Sequence, residues 1–233
     1  MIDKVHDSLA AALTDVRDGA TVMVGGFGTA GQPNELLDAL IEQGARELTI
    51  VCNNAGNGDT GLAALLAAGR VRKIVCSFPR QSDSWHFDRL YREGRIELEL
   101  VPQGNLAERI RAAGAGIAGF FTPTGYGTEL AKDKETRVID GRGYVLESPL
   151  HADLALIKAE RGDRWGNLVY RKTARNFGPV MAMAARSTVA TVHELVPLGT
   201  LDPESVVTPG VFVQRLVCIE RNLTGAGGIK AAA

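Results

Sequence analysis

Apolar runs and helical spacings alternate through the first half of the chain. Four short apolar runs, rich in β-branched residues, predict buried strands at residues 20–24, 48–52, 71–77 and 96–101. Around and between them, apolar residues recur at helical spacing in residues 3–16, 33–43, 60–68, 83–92 and 106–113. Because a helix separates each pair of successive strands, the strands are expected to run parallel. The pattern therefore predicts the α/β class, with an open, mostly parallel sheet flanked by helices.

The pattern changes after Phe121. Residues 136–147 predict a hairpin that turns at Asp140 and Gly141. Further apolar runs predict strands at residues 154–159, 188–192 and 211–219. A helix is expected to begin near Pro179. The second half is therefore predicted to contain a small mixed β region.

Composition and charge narrow the possible functions. The 233 residues are 45% hydrophobic and 23% charged, which is typical of a globular protein, and the formal net charge of −1 argues against nucleic acid or membrane as partners. Three cysteines without a CxxC pair, and the lack of a leader pattern, favour a cytoplasmic protein. No linker interrupts the chain, so residues 1–220 are expected to form one domain and residues 221–233 a flexible tail.

The most informative local sequence is a glycine-rich segment between the first predicted strand and its helix. It consists of Gly25, Gly26, Phe27, Gly28, Thr29, Ala30 and Gly31. Residues 26–31 fit the pattern GxGxxG, whose glycines let backbone N–H groups approach a phosphate. A dinucleotide site would also need an acidic residue after the second strand, where the chain has Asn53 and Asn54. A dinucleotide site and a turn without ligand both stay open, but pantetheine or an acyl thioester fits better.

Amide side chains recur where the predicted strands end. Asn53 and Asn54 follow the second strand, Arg80 comes shortly after the third, and Gln103 follows the fourth. In an open parallel sheet these ends share one edge, which is where ligands bind. Amides can hold carbonyl or carboxylate oxygens without adding charge, and an arginine can clamp a carboxylate. The alternative is that each amide only caps a turn, which is the common case for a single one.

The sequence offers no convincing nucleophile or metal site. Its four histidines lie far apart without metal-ligand spacing, so no metal is expected, and neither GxSxG nor SxxK occurs. Glu129, Glu135 and Glu147 lie in polar stretches and are expected on the solvated surface. The basic residues around Trp165 are interpreted in the same way.

Several segments together resemble one enzyme family. They are residues 18–33, which include the glycine-rich segment, and residues 53–56, 101–111, 122–128 and 171–177. In these segments the chain is similar to the A subunits of 3-oxoacid coenzyme A transferases, and the likeness extends to about Ile219. Residues 76–83 and 150–153 resemble the branch of that family that acts on 3-oxoadipate.

The resemblance implies a two-subunit enzyme that moves coenzyme A (CoA) from succinyl-CoA to 3-oxoadipate during the breakdown of aromatic acids. Its nucleophile would be a glutamate of the B subunit, so no catalytic residue is expected on this chain. Gly25–Gly31 would form the CoA loop, and Asn53, Asn54 and Gln103 would line the acyl pocket. Arg80 would pair with the distal carboxylate of the acceptor.

CoA thioesters would be substrates, and no tightly bound cofactor is expected. Two alternatives remain at this point. Within the family, the acceptor could be acetoacetate or a short-chain fatty acid. Outside it, the chain could be a nucleotide-binding module.

Overall fold

A computed structural model describes residues 2–219 of the chain, so the expected tail at residues 221–233 lies outside the described residues. The strands are β1 (Thr21–Val24), β2 (Leu48–Val51), β3 (Val71–Cys76), β4 (Glu97–Leu100), β5 (Phe120–Thr122), β6 (Thr136–Ile139), β7 (Arg142–Glu147), β8 (Ala152–Asp163), β9 (Leu168–Val169), β10 (Ala185–Val196) and β11 (Arg215–Cys218). The α-helices are α1 (Leu9–Ala12), α2 (Asn34–Gln43), α3 (Leu62–Ala67), α4 (Trp85–Arg92), α5 (Gln103–Ala115) and α6 (Gly178–Ala184).

Seven parallel strands form the main sheet in the order β11-β10-β8-β1-β2-β3-β4, and β9 pairs antiparallel with β8. Strands β5, β7 and β6 form a separate antiparallel sheet. This architecture confirms the predicted α/β class: β8, β10 and β11 of the second half join the parallel sheet, and β5, β6 and β7 form the small second sheet. No helix within residues 2–219 is long and apolar enough to span a membrane.

The core lies on both faces of the main sheet because successive strand residues point to opposite sides. In β1, Val22 and Val24 pack into a cluster with helices α1 to α4, whereas Met23 packs into a second cluster with α5 and α6. All three side chains are almost completely buried. A strand with apolar residues on both faces is typical of a parallel sheet that is covered by helices on both sides.

Helix ends show where local sequence was sufficient and where it was not. Helix α2 ends at Gly44, which adopts a left-handed φ of 97°, as predicted. The sequence also predicts that the helix over residues 106–113 ends at Gly114, which is wrong, because α5 continues to Ala115 and Gly116 caps it. A Cβ on Gly114 would lie 2.6 Å from that of Met183, so this glycine allows α5 and α6 to pack closely.

Two other predicted elements are shorter than expected. Helix α1 covers four residues of the predicted 3–16 segment, while Val5 forms a β-bridge with Leu216. The predicted strand at 211–219 is reduced to β11, because residues 210–212 form a 3-10 turn. In both places, pairing between distant parts of the chain overrides local spacing.

The topology places the candidate site at the carboxyl edge of the main sheet. After β1 the chain continues through β2, β3 and β4 on one side, whereas β8, β10 and β11 add to the other side of β1. The strand order therefore reverses between β1 and β8. Ligands of open parallel sheets bind at the carboxyl ends of strands near such a reversal, and the glycine-rich segment follows β1 there.

Candidate functional site

The glycine-rich segment forms a tight turn directly after β1, and we call residues 25–31 the glycine loop. The loop begins where the Gly25 N–H donates to the carbonyl of Leu156 on β8, at 2.9 Å. Phe27 and Ala30 then exchange two backbone hydrogen bonds of 3.0 and 3.1 Å. This pairing folds the loop back on itself and leaves the Phe27 side chain 51% exposed at its tip.

Glycine is required in this loop for two different reasons. Gly26, Gly28 and Gly31 have φ values of 123°, 59° and 75°, which side chains rarely allow. At Gly31, a Cβ would also lie only 2.5 Å from the carbonyl oxygen of Ala174. The glycines therefore both shape the turn and let a second segment of the chain pack against it.

The glycine loop and the end of β2 face each other across a small cleft. Gly25, Gly26 and Gly28 line one side, and Asn53 and Asn54 line the other. The remaining lining residues are Val24, Gln32, Cys52 and Leu62. The structure thus brings the predicted loop and two of the predicted pocket amides together.

Asn53 is the centre of a hydrogen-bonded network that joins three strand ends. Its Oδ1 accepts hydrogen bonds from Ser77 Oγ at 3.0 Å and from Gln103 Nε2 at 2.7 Å. The residue is 4% exposed. Both bonds go to the oxygen, and no residue within 2–219 accepts a hydrogen bond from its Nδ2. Asn53 can therefore offer two N–H donors to a ligand.

Ser77 is the member of this network that sequence reasoning missed. It directly follows β3, and its hydroxyl is also 3.1 Å from the main-chain oxygen of Asn53. Its place at a strand end was the available signal, but serine is common in turns. Only the fold shows that Ser77 contacts Asn53.

Asn54 and Arg80 do not join the network around Asn53 and have partners elsewhere. Asn54 Oδ1 accepts from the Gly56 N–H at 2.9 Å, which shapes its own loop. Arg80 Nε lies 2.6 Å from Asp88 Oδ1 on α4, as a charge pair rather than an aligned hydrogen bond, and its side chain is 54% exposed. Arg80 does not line the cleft. The structure therefore brings Asn53 and Gln103 into contact but leaves Arg80 outside their network.

The expectation that Glu147 lies on the solvated surface is wrong, whereas Glu129 and Glu135 are exposed. Glu147 is 3% exposed, and its Oε1 is 2.8 Å from Lys134 Nζ and 3.2 Å from Asn105 Nδ2. Alternation along β7 turns its side chain inward. Its burial is possible because Lys134 and Asn105, which lie on other segments of the chain, supply the charge and the hydrogen bond that the carboxylate needs.

The thiols near the cleft are poor nucleophiles. Burial raises the pKa of Cys52 well above its ordinary value, and burial also raises the pKa of Cys76 to about 12. Both thiols therefore stay protonated at neutral pH. The residues that line the cleft include neither a carboxylate nor a histidine. The cleft thus provides hydrogen-bond donors and close backbone approach, while the attacking group must come from elsewhere.

Comparison with known proteins gives the family. The sequence model of the family described as Coenzyme A transferase matches residues 6–218. The chain is 69% identical over 219 residues to the A subunit of a 3-oxoadipate CoA-transferase of Pseudomonas putida, covering 94% of this chain and 95% of that one. It is 52% identical over 211 residues to the A subunit of a succinyl-CoA:3-ketoacid coenzyme A transferase of Xanthomonas campestris, covering 91% of this chain and 86% of that one.

The fold is shared more widely than the sequence. A solved structure of a variant of the decarboxylase AibA/AibB superimposes with a TM-score of 0.81 at 25% identity, covering 97% of this chain and 88% of that one. Since that structure bears the name of a different reaction, fold alone does not identify the chemistry. The sequence comparisons do identify the family: this chain belongs to the coenzyme A transferases, as the motifs implied.

Proposed function

We propose that this chain is the A subunit of a two-subunit enzyme that transfers CoA from succinyl-CoA to 3-oxoadipate, giving 3-oxoadipyl-CoA and succinate. The relative with 3-oxoadipate in its name is 69% identical, against 52% for the relative named for 3-ketoacids. Both relatives are named as A subunits, which supports a partner B subunit. The observation that carries the proposal is the cleft with amide donors and no nucleophile of its own.

In this proposal the nucleophile is a glutamate of the B subunit. Its carboxylate attacks the succinyl carbonyl carbon, the carbon–sulfur bond breaks, and the CoA thiolate leaves an acyl–enzyme anhydride. The thiolate then attacks the glutamyl carbonyl, which releases succinate and forms a glutamyl-CoA thioester. The acceptor carboxylate repeats these exchanges in reverse. No redox partner is needed, because each step is an acyl substitution that exchanges a carbon–sulfur bond for a carbon–oxygen bond, or the reverse, without a change of oxidation state.

The residues of this chain act on the carbonyl oxygen that becomes negative when the carboxylate or the thiolate attacks its carbon. The two N–H groups of Asn53 Nδ2 would donate to it, while Ser77 and Gln103 hold the amide oxygen on the other side. Because Asn53 is buried, these donors are already oriented before the substrate arrives. The glycine loop would let the CoA chain pass close to the backbone, and Asn54 would line the same pocket.

The first experiment compares the isolated chain with the chain co-expressed with its B subunit. Succinyl-CoA:3-oxoadipate transfer is expected only from the pair. A fully active isolated chain would place the nucleophile here and overturn the proposal. A pair that transfers CoA to acetoacetate or short-chain fatty acids, but not to 3-oxoadipate, would support the alternative acceptors.

Arg80 is proposed to bind the distal carboxylate that distinguishes 3-oxoadipate from acetoacetate. Since its side chain is 54% exposed and already paired with Asp88, water and Asp88 weaken such a contact. Arg80→Ala is expected to raise the KM for 3-oxoadipate about tenfold, with a smaller effect on acetoacetate. Arg92→Ala is a matched control, because Arg92 NH2 also lies near Asp88, at 3.9 Å. Equal losses with both acceptors would exclude this role.

We further propose that the pair works in the cytoplasm. Cys52, Cys76 and Cys218 are all free thiols, which is typical of a reducing compartment.

A further inference from the structure

Asn176 contacts the glycine loop from a distant part of the chain. It lies between a 3-10 turn (Lys172–Arg175) and helix α6, 150 positions away from Gly26. Its Oδ1 accepts hydrogen bonds from the N–H groups of Gly26, at 3.1 Å, and Phe177, at 2.7 Å. Its Nδ2 donates to the carbonyls of Ala30, at 3.0 Å, and Thr173, at 2.7 Å.

Two of these four hydrogen bonds join Gly26 and Ala30 of the loop to one planar group, and the other two hold that group to its own segment. Gly26 and Ala30 lie on either side of the tight turn, so a single amide fixes their separation. The close approach of Gly31 to Ala174 holds the two segments together at a second point. In the 3-10 turn, Lys172 adopts a left-handed φ of 51°, a conformation that non-glycine residues keep only where surrounding contacts enforce it.

A loop with four glycines in seven residues needs such support. Glycine backbones are flexible, so ordering them costs more conformational entropy than ordering other residues. A ligand that has to order the loop on binding would bind more weakly, whereas a loop that is already ordered avoids that cost. Asparagine suits the task because its side chain combines an acceptor and two donors.

We propose that Asn176 is a positioning residue that holds the glycine loop in the shape that receives the CoA thioester. The inference rests on the proposed function, because it takes the loop as the CoA-binding segment. Asn176 itself acts through the loop. Aspartate, which has the same shape, would keep the two acceptor contacts but could not donate to Ala30 and Thr173 when ionised.

The test uses the complete A/B enzyme with Asn176→Ala, Asn176→Asp and a matched control, Asn167→Ala. Asn167 is also held by its side-chain amide: its Oδ1 accepts from the Gly210 N–H and its Nδ2 donates to Asp163, both at 2.8 Å. It lies in the turn between β8 and β9 and does not contact the loop. Amide hydrogen exchange of residues 25–31 and kcat/KM for succinyl-CoA are measured for each variant, together with the melting temperature.

Both Asn176 variants are expected to exchange hydrogens in residues 25–31 about tenfold faster and to lose about tenfold in kcat/KM. Asn167→Ala should lower the melting temperature without either change. Hydrogen exchange of the loop at the wild-type rate in the Asn176 variants would overturn the proposal. Faster exchange with unchanged kcat/KM would overturn it as well, and so would an equal loss of kcat/KM in Asn167→Ala. If the wild-type pair transfers no CoA, the proposed function fails, while hydrogen exchange still decides whether Asn176 orders the loop.

Discussion

Two polar clusters, each built around one buried side chain, lie at the start of helix α5, and they use its residues in opposite ways. The amide cluster consists of Asn53, Ser77 and Gln103, the first residue of the helix. The carboxylate cluster consists of Glu147, Lys134, Asn105 and Arg109, of which the last two also belong to α5. Asn53 and Glu147 are buried, whereas Gln103 and Lys134 are exposed, and only the amide cluster borders the cleft.

The clusters differ in what remains unpaired. In the carboxylate cluster, Glu147 is held by Lys134 and Asn105, and Arg109 Nε, 3.8 Å from Glu147, also donates to the Ser148 carbonyl. Its charges are thus satisfied by the protein, and the cluster ties β7 to α5. In the amide cluster the oxygen of Asn53 is satisfied while its N–H donors remain available. Burial alone therefore does not mark a functional group; donors that the fold leaves available do.

The strongest test of this distinction is Asn53→Asp. The carboxylate has the shape of the amide and can still accept from Ser77 and Gln103, but it replaces the two donors with a negative oxygen. We expect kcat to fall about 10²- to 10³-fold, as for the loss of an oxyanion donor. Steady-state kinetics of the A/B pair give the value. Asn57→Asp serves as a control, because Asn57 Nδ2 already donates to Gln81 within the protein. Equal losses in both variants would remove the special role of Asn53.

In contrast to Asn53→Asp, the variant Glu147→Gln is expected to lose stability rather than activity. Removing this charge weakens the contact with Lys134, while Arg109 keeps its ion pair with Glu99, so the free energy of unfolding should fall by roughly 1 to 2 kcal/mol. Transfer activity of the folded pair should stay within about twofold, since the group has no place in the mechanism. Denaturant unfolding measures the first effect. Glu135→Gln is the matched control, because Glu135 is an exposed partner of Arg137 and should cost much less. Loss of activity without loss of stability would make Glu147 functional.

A smaller, pH-dependent effect on stability is expected at Glu99, which lies at the edge of the carboxylate cluster. Burial opposes ionisation of Glu99, but hydrogen bonds from Lys73 and Arg109 outweigh it and hold the pKa of Glu99 below its ordinary value of 4.5. Because the folded state has the lower pKa, the stabilisation is present above the unfolded pKa and is lost as pH falls through the folded one.

The variant Glu99→Gln should therefore be less stable than wild type at pH 7, with the difference disappearing as the pH falls through the lowered pKa of Glu99 in the folded state. The difference at pH 7 should be at most roughly 1 kcal/mol, since the Glu99 side chain is 36% exposed. Unfolding titrations across this pH range measure it. A difference that grows on acidification would show that the assigned direction of the pKa is wrong.

Local sequence correctly predicted the elements that depend only on neighbouring residues, such as turns and helix ends. Asp140 and Gly141 form the hairpin turn between β6 and β7 with φ values of 51° and 76°, as two-residue hairpin loops require. Gly44 ends α2 in the same predictable way. Gly114 failed as a helix end because its role is contact with α6, which no local pattern contains. Glu147 failed because its partners lie on two other segments.

By itself, the sequence determined the strand–helix rhythm, the glycine loop, the family and the strand ends that carry amides. These depend on neighbouring residues, or on motifs that are contiguous in the chain. Only the tertiary structure decided which of those amides act together: Gln103 meets Asn53 across 50 positions, and Asn176 meets Gly26 across 150. The physical reason is that a hydrogen bond depends on the distance and direction between two groups in space. Spacing along the chain does not give that distance or direction, because they are set only when the sheet brings its strand ends to one edge.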